Sequence, residues 1–290
     1  MDNLKITIEF DTSHIDRENK FPFVENYIRD FLVQHFLSVE MEKNIRIILA
    51  DNVDKAKKRI NGNKNDDIDS SMASVIYIDG QFVMVLPIGG FRLEIFPETA
   101  KCYSKEFVEK VRLETNYLIY HEMQHIKNRH DYSVLAQILD NTPVISDNYT
   151  YFKFSACRFI DEYLATVNSQ NLFRTKIDND ILKEFEELCG KMSKKFLEKK
   201  LIQQDVYKIA YFYAHVFGMN KIKIMENADE STPKIEEKLD GIEKKFFINI
   251  NNALKKYLDK DINLLILEIT RVMGDFYRLG SNSKNIPSSP

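Results

Sequence analysis

The stretch YLIYHEMQHIKNRH, residues 117–130, places two imidazoles and a carboxylate, those of His121, Glu122 and His125, among apolar residues. Helix residues four apart lie about 40° apart around the axis, so the two histidines can direct their rings at one metal ion. Glu122 projects beside the pair, where it can accept a proton from water on that metal. The spacing H-E-x-x-H therefore predicts two zinc ligands and a general base on one helix.

The apolar flanks of this segment favour a metal site. Leu118, Ile119, Tyr120, Met123 and Ile126 predict a buried helix. Charged groups are rarely buried unless they are paired or bound to a metal. The alternative interpretation is a core helix whose histidines are hydrogen-bonded and whose glutamate reaches solvent.

A catalytic zinc site needs a third protein ligand and an open position for water. Glu162, in RFIDEYLATVNS, is the preferred candidate, because the small residues Ser155 and Ala165 on the same helix face would allow a close approach to the histidine helix. Asp161 points about 100° away from Glu162 and is its local rival.

Three other residues are open as the third ligand. His130 lies about 140° around the helix from the second histidine and faces away unless the helix has ended. Asp131 follows the first histidine by ten residues, a spacing that needs a helix break, but position 128 is Asn rather than Gly. His215, in YFYAHVFG, has no supporting spacing and is typical of a core histidine.

The segment HEMQHIKNRH, followed by EYLA at residues 162–165, resembles the gluzincin class of zinc metallopeptidases, whose pattern is H-E-x-x-H with a glutamate in a downstream E-x-x-A helix. Within that class it looks like the M48/M56 peptidases and the soluble, repressor-cleaving ImmA/IrrE group. The resemblance covers about 60 residues. It implies His121, His125 and Glu162 as zinc ligands and Glu122 as the base.

The chain departs from the membrane peptidases of this class at one position. They often carry Asp after E-x-x-A, where it accepts a hydrogen bond from a ligand histidine, whereas this chain has Thr166. A threonine accepts that hydrogen bond more weakly, so the resemblance implies a lower metal affinity or activity. This chain also lacks their membrane spans, which favours the soluble branch.

The function expected from these residues is zinc-dependent hydrolysis of peptide bonds in an intracellular protein, with Glu122 assisting the attack of zinc-bound water. The oxyanion would need a further donor, and the sequence offers no choice among Tyr163, Tyr211, Tyr213 and His215. The alternative function is a non-catalytic, zinc-binding regulatory or scaffold protein whose helical half binds a partner.

The elements that position these residues comprise a mixed beginning and a helical remainder. LKITIEF and IRIILA predict strands, FVENYIRDFLVQHF and NVDKAKKRI predict helices, and SVIYIDGQFVMVLPI predicts a hairpin that turns at Asp79-Gly80. A helix with Ser104 as N-cap is expected to run to about His130. Further helices are predicted near residues 131–139, 151–170, 178–200, 203–225, 234–258 and 261–279.

The fold class predicted from this order is α+β: a zincin-like core with a small N-terminal mixed sheet and a mostly α-helical C-terminal half. We expect the metallopeptidase core to span residues 1–170 and a helical subdomain to span 171–280. Residues 281–290 are predicted to be a disordered tail. The polar stretch NGNKNDDIDSS is predicted to be a surface loop.

Composition excludes several classes of partner. The net charge of −3 comes from 41 basic and 44 acidic side chains that are well mixed, so no nucleic-acid or membrane-surface footprint is expected. No apolar stretch approaches the ~20 residues of a membrane span, and the N-terminus does not resemble a signal peptide. The three widely spaced cysteines fit reduced thiols. We therefore expect a cytoplasmic protein that acts on a protein or peptide substrate.

Overall fold

The computed structural model describes residues 6–11, 17–36, 44–60, 73–95, 97–141, 147–174, 179–225 and 242–282 of the 290. The chain divides into two compact units, Met1–His130 and Asp131–Pro290. The predicted polar loop at residues 61–71 and the segment between the predicted helices 203–225 and 234–258 lie outside the described residues, as does most of the predicted tail. The predicted extent of a zincin-like core, residues 1–170, stays a prediction.

The first unit is built on a four-stranded sheet. Its strands are β1 (Ile6–Asp11), β2 (Ile45–Ala50), β3 (Ser74–Ile78) and β4 (Gln81–Pro87), in the spatial order β1-β2-β4-β3. β1 and β4 run parallel to β2, whereas β3 is antiparallel to β4. The predicted small, mixed N-terminal sheet is confirmed.

The hairpin between β3 and β4 turns through Asp79 and Gly80, as predicted. Their φ angles are 51° and 77°, and two positive values in succession are typical of the type I′ turn that joins twisted strands. Glycine adopts a positive φ without strain, and aspartate is among the few other residues that tolerate it. The turn fixes the register of the hairpin, in which Ile78 pairs with Gln81.

Helices separate and follow these strands along the chain. They are α1 (Arg17–Phe36), α2 (Val53–Ile60), a 3₁₀ turn (Ile88–Phe91), α3 (Arg92–Ile95), α4 (Pro97–Ala100) and α5 (Lys105–Asp131). α2 contributes Ala56 to a small core with side chains of β2 and β4, namely Ile48, Ala50, Val83 and Val85. β2 and β4 are buried at nearly every position, which is typical of the central strands of a sheet that is covered on both faces.

The second unit is helical in its described residues, apart from one backbone bridge between Lys200 and Ser281. Its helices are α6 (Ser133–Leu139), α7 (Asn148–Phe173), α8 (Asn179–Leu197), α9 (Gln203–Met225), α10 (Ile242–Tyr257) and α11 (Ile262–Gly280). α7 packs against α9 and α11, and α8 packs against α9. The predicted mostly helical C-terminal half is confirmed, and residues 234–241 of one predicted helix lie outside the described part.

Helix starts follow side-chain capping. The backbone N–H of Phe107 donates to Ser104 Oγ at 3.2 Å, which confirms the predicted N-cap of α5. α7 starts at a cap that the sequence analysis did not identify, where Asp147 Oδ1 accepts from the N–H of Thr150 at 2.7 Å. Both contacts satisfy an N–H that has no partner within the first turn of its helix.

Aromatic rings fill the core of the second unit. The rings of Tyr213 and Phe247 stack with centroids 4.0 Å apart, and Phe185 packs against both. Tyr213 is fully buried and Tyr207 is 3% exposed, so the aromatic stretch YKIAYFYAHVF anchors α9 in the core. Within the described residues, no helix is both long enough and apolar enough to cross a membrane.

The three cysteines make no disulfide: Cys102 is exposed, whereas Cys157 and Cys189 are buried. Burial raises the pKa of both buried thiols to about 12, because a thiolate would lose its hydration there. We expect a thiol-specific disulfide reagent at pH 8 to modify Cys102 readily in the native protein, and the other two only after unfolding in guanidinium. Counting modified thiols before and after denaturation checks this. Rapid native labelling of all three would contradict the packing of α7 and α8.

Candidate metal centre

α5 changes character along its length. Residues 105–114 are largely exposed, whereas most residues between Thr115 and Arg129 are buried or half-buried. Ile119, Met123 and Ile126 are at most 1% exposed. The predicted burial of this segment is therefore confirmed, and the two histidines and the glutamate lie in its buried half.

Contacts with α1 hold the middle of α5 in the first unit. The ring of Tyr120 lies 5.7 Å from the ring of His35 and 5.0 Å from that of Phe36, measured between centroids. Tyr27 donates a hydrogen bond to Asn116. Burial lowers the pKa of His35 and raises that of Tyr120, because each charged form would lose hydration. Both shifts favour the neutral forms of these side chains at pH 7.

Two further contacts tie α5 to β4 and to the 3₁₀ turn. Thr115 Oγ1 lies within donating distance, 3.1 Å, of the carbonyl oxygen of Gly90. A Cβ at Gly90 would lie 2.7 Å from Thr115 Oγ1, so the close approach of α5 to the 3₁₀ turn requires glycine. Near the end of the helix, the guanidinium carbon of Arg129 lies 5.8 Å from the ring centroid of Phe82. These contacts fix the rotation of α5 within its unit.

The imidazoles of His121 and His125 converge. Their Nε2 atoms are 3.2 Å apart, and their ring planes meet at 85°. Two nitrogens bound at about 2.0–2.1 Å to one tetrahedral zinc ion would be about 3.3 Å apart. The observed distance fits two ligands of a single ion, and it also fits an N–H···N hydrogen bond between neutral rings.

Glu122 completes a group of three potential ligand residues. One ligand atom from each of His121, Glu122 and His125 lies within 4.8 Å of the other two. His121 is 6% exposed and Glu122 is 5% exposed, whereas His125 is half-buried. Two imidazole nitrogens and a carboxylate oxygen are a donor set that suits zinc. The predicted clustering of these three side chains is confirmed, and the group could hold a metal ion.

The geometry at the end of α5 argues against two of the alternative third ligands. The helix continues unbroken through Asp131, and Asn128 is helical and buried. At about 1.5 Å per residue, Asp131 lies about 15 Å along the axis from His121. The break that would return Asp131 to the histidines is therefore missing. His130 is exposed on the last turn and does not belong to the group.

Glu162, the predicted third ligand, lies on α7 in the second unit and is 3% exposed. Its Oε1 lies 3.3 Å from Thr166 Oγ1 and 3.2 Å from His215 Nδ1. Its rival Asp161 is also buried, at 2% exposure. The ligand role of Glu162 stays a prediction.

Thr166 and His215 lie beside Glu162, a contact that residue spacing did not predict. The hydroxyl of Thr166 donates to Glu162 at 3.3 Å, and the bond from a ligand histidine that the resemblance implies stays a prediction. Gly218 was missed altogether, although a Cβ there would lie 2.8 Å from Thr166 Cγ2. A signal was present, because a glycine inside a helix costs about 1 kcal/mol relative to alanine and is typical of close packing.

The four residues considered as oxyanion donors occupy different environments. Tyr163 is 2% exposed and Tyr213 fully buried, and both stack on Phe217. Desolvation raises the pKa of the Tyr163 hydroxyl. Tyr211 is half-buried, and His215 contacts Glu162. The two buried tyrosines therefore act as core residues of the second unit.

Comparisons with known proteins find no matching family model, no matching curated protein and no matching solved structure. What can be inferred about function therefore rests on the side chains described above.

Proposed function

We propose that this protein is a zinc metallopeptidase that hydrolyses peptide bonds of an intracellular protein substrate. One observation carries the proposal: the Nε2 atoms of His121 and His125 lie 3.2 Å apart in a buried helix, and Glu122 lies beside them. A histidine pair alone would suit a structural or a catalytic metal. A carboxylate on the next residue adds a proton acceptor, which the structural type of site does not need.

In the proposed site, His121 and His125 would hold a zinc ion, and Glu162 would supply the third ligand, as the resemblance implies. A zinc ion held there would act as a Lewis acid, which makes a water molecule more acidic and polarises a peptide carbonyl.

Glu122 moves the proton in this mechanism. Its carboxylate accepts a proton from the attacking water and passes it to the nitrogen of the leaving amine. The hydroxyl adds to the acyl carbon, and the C–N bond breaks as the proton reaches the nitrogen. Because Glu122 follows His121 directly on a helix that is packed on several sides, its carboxylate is held beside the imidazoles.

The proposed location is the cytoplasm. None of the three cysteines is in a disulfide, including the exposed Cys102, and free thiols are typical of a reducing compartment. The substrate is therefore proposed to be a cytoplasmic protein, and no nucleic-acid partner is proposed.

A direct test uses the full-length chain, reconstituted with zinc and added to native extract from cells that lack it. New protein N-termini, identified by chemical labelling and mass spectrometry, are expected with zinc. They should disappear with a zinc chelator and return when zinc is restored. An extract without added protein is the control. If zinc binds and no terminus appears in this extract, the proposal is wrong, and a zinc-binding regulatory or scaffold role explains the site.

A further inference from the structure

A second polar group lies entirely within the second unit, between α7 and α9. Glu162 and Thr166 are one turn apart on α7, and His215 and Gly218 lie on one side of α9. α7 and α9 pack against each other. The packing of α7 on α9 therefore brings His215 next to Glu162 and Thr166, which lie about fifty positions earlier in the chain.

The carboxylate of Glu162 is held from two directions. Its Oε1 accepts from Thr166 Oγ1 at 3.3 Å and lies 3.2 Å from His215 Nδ1. Thr166 Oγ1 and His215 Nδ1 are themselves 3.4 Å apart. Since a carboxylate oxygen only accepts, His215 is expected to carry a proton on Nδ1. Two donors on one oxygen restrict the rotation of the carboxylate.

Burying these polar side chains costs free energy, and a role in packing alone does not explain that cost. Glu162 is 3% exposed and Thr166 is fully buried. Burying an ionised carboxylate costs several kcal/mol, and well-packed apolar residues in place of a buried ion pair are often neutral or stabilising. Side chains that must hold a ligand in a set orientation are, in contrast, typically fixed by hydrogen bonds of this kind.

Gly218 permits the contact. A Cβ at this position would lie 2.8 Å from Cγ2 and 2.9 Å from Cβ of Thr166, so any side chain would displace the threonine. Gly190, on α8, provides the contrast, because a Cβ there would meet nothing within 4 Å among the described residues. One helix glycine thus serves close packing around Glu162, and the other does not.

We propose that Thr166 and His215 are positioning residues that orient the Glu162 carboxylate for a divalent cation, and that Gly218 keeps Thr166 in place. The inference rests on the proposed function, because it takes Glu162 as a metal ligand. It extends that function by making α9 a determinant of metal affinity. Hydrogen-bond partners of metal ligands typically change affinity by about 10–100-fold.

The test measures the zinc affinity of full-length variants by competition with a chromogenic chelator. Thr166→Val and His215→Ala are each expected to weaken zinc binding about 10–100-fold. His215→Asn should restore most of the loss, since its amide can donate from nearly the position of Nδ1. Gly218→Ala should weaken binding, whereas the matched Gly190→Ala should not. Thermal unfolding of each variant separates a loss of affinity from a loss of fold.

The outcomes test the positioning role and the peptidase proposal separately. Unchanged affinity in Thr166→Val and His215→Ala, with only a lower melting temperature, would overturn the positioning role and leave the peptidase proposal standing. Unchanged affinity in Glu162→Gln would do the same, because Glu162 would not be a ligand. If the unaltered chain binds no zinc, both proposals are wrong.

A second measurement does not depend on any variant remaining folded. The imidazole ¹⁵N resonances of the unaltered chain are recorded with and without zinc, after assignment of His215. Zinc bound through Glu162 withdraws charge from the carboxylate and weakens the bond that Nδ1 donates, so the Nδ1 resonance is expected to shift. A spectrum in which the His215 resonances do not move on saturation with zinc would overturn the inference.

Discussion

Replacing Glu122 with Gln is expected to slow peptide-bond hydrolysis by about 10²- to 10⁴-fold, the usual contribution of a general acid–base group. The amide has nearly the volume of the carboxylate, so the buried half of α5 should keep its packing. It cannot accept a proton, so the attacking water loses its base. Zinc content is expected to stay unchanged, because the ligands proposed for the metal are His121, His125 and Glu162.

The matched control is Glu109→Gln, the same substitution on an exposed turn of the same helix. The Glu109 side chain is 65% exposed, and its carboxylate lies 3.7 Å from the Lys105 ammonium, an exposed ion pair worth at most about 1 kcal/mol. Both variants are assayed by the appearance of new N-termini in native extract and by elemental analysis. Normal cleavage by Glu122→Gln would remove the proposed base. Loss of zinc from that variant would mean that Glu122 holds the metal.

The part of the site that could be predicted from sequence is the part that one helix determines. A helix turns about 100° per residue, so the spacing of His121 and His125 already decides that their rings meet. The structure places the two Nε2 atoms 3.2 Å apart, as this spacing predicts. The hairpin at Asp79-Gly80 was predictable for the same reason, since two adjacent residues specify the turn.

Contacts across elements could not be predicted in this way. His215 lies 53 positions from Glu162, and only the packing of α7 on α9 decides that they meet. No residue spacing encodes that packing angle, so a histidine in an aromatic stretch looked like a core residue. The parallel pairing of β1 with β2 is similar, because it depends on the path of the chain through α1 and not on the alternation within either strand.

The two ends of α5 show the same difference between local contacts and contacts across elements. Ser104 marks the start of α5 by a local hydrogen bond, and the sequence showed it. The far end depended on whether the helix breaks near Asn128. Asn128 and Arg129 are buried, and the guanidinium of Arg129 lies over the ring of Phe82 on β4. Spacing within α5 alone does not predict this contact.

The chain is expected to carry one zinc ion per molecule, and His121→Ala or His125→Ala to remove it. Structural zinc sites with four ligands have apparent binding free energies of about 10–16 kcal/mol, so each ligand contributes about 3 kcal/mol, or roughly 10²-fold in affinity. A centre reduced from three protein ligands to two should therefore lose its zinc during dialysis against a weak chelator. Elemental analysis of zinc per chain, after that dialysis, measures the loss.

His130→Ala is the matched control, because it removes an exposed imidazole from the last turn of the same helix. Alanine has the highest helix propensity, so none of these three substitutions weakens α5 as a helix. A loss of zinc that is confined to His121→Ala and His125→Ala, in variants whose thermal unfolding shows that they remain folded, therefore reports on ligation. If all three variants keep their zinc, the convergence of the two Nε2 atoms reflects an N–H···N hydrogen bond in the core, and the metal lies elsewhere.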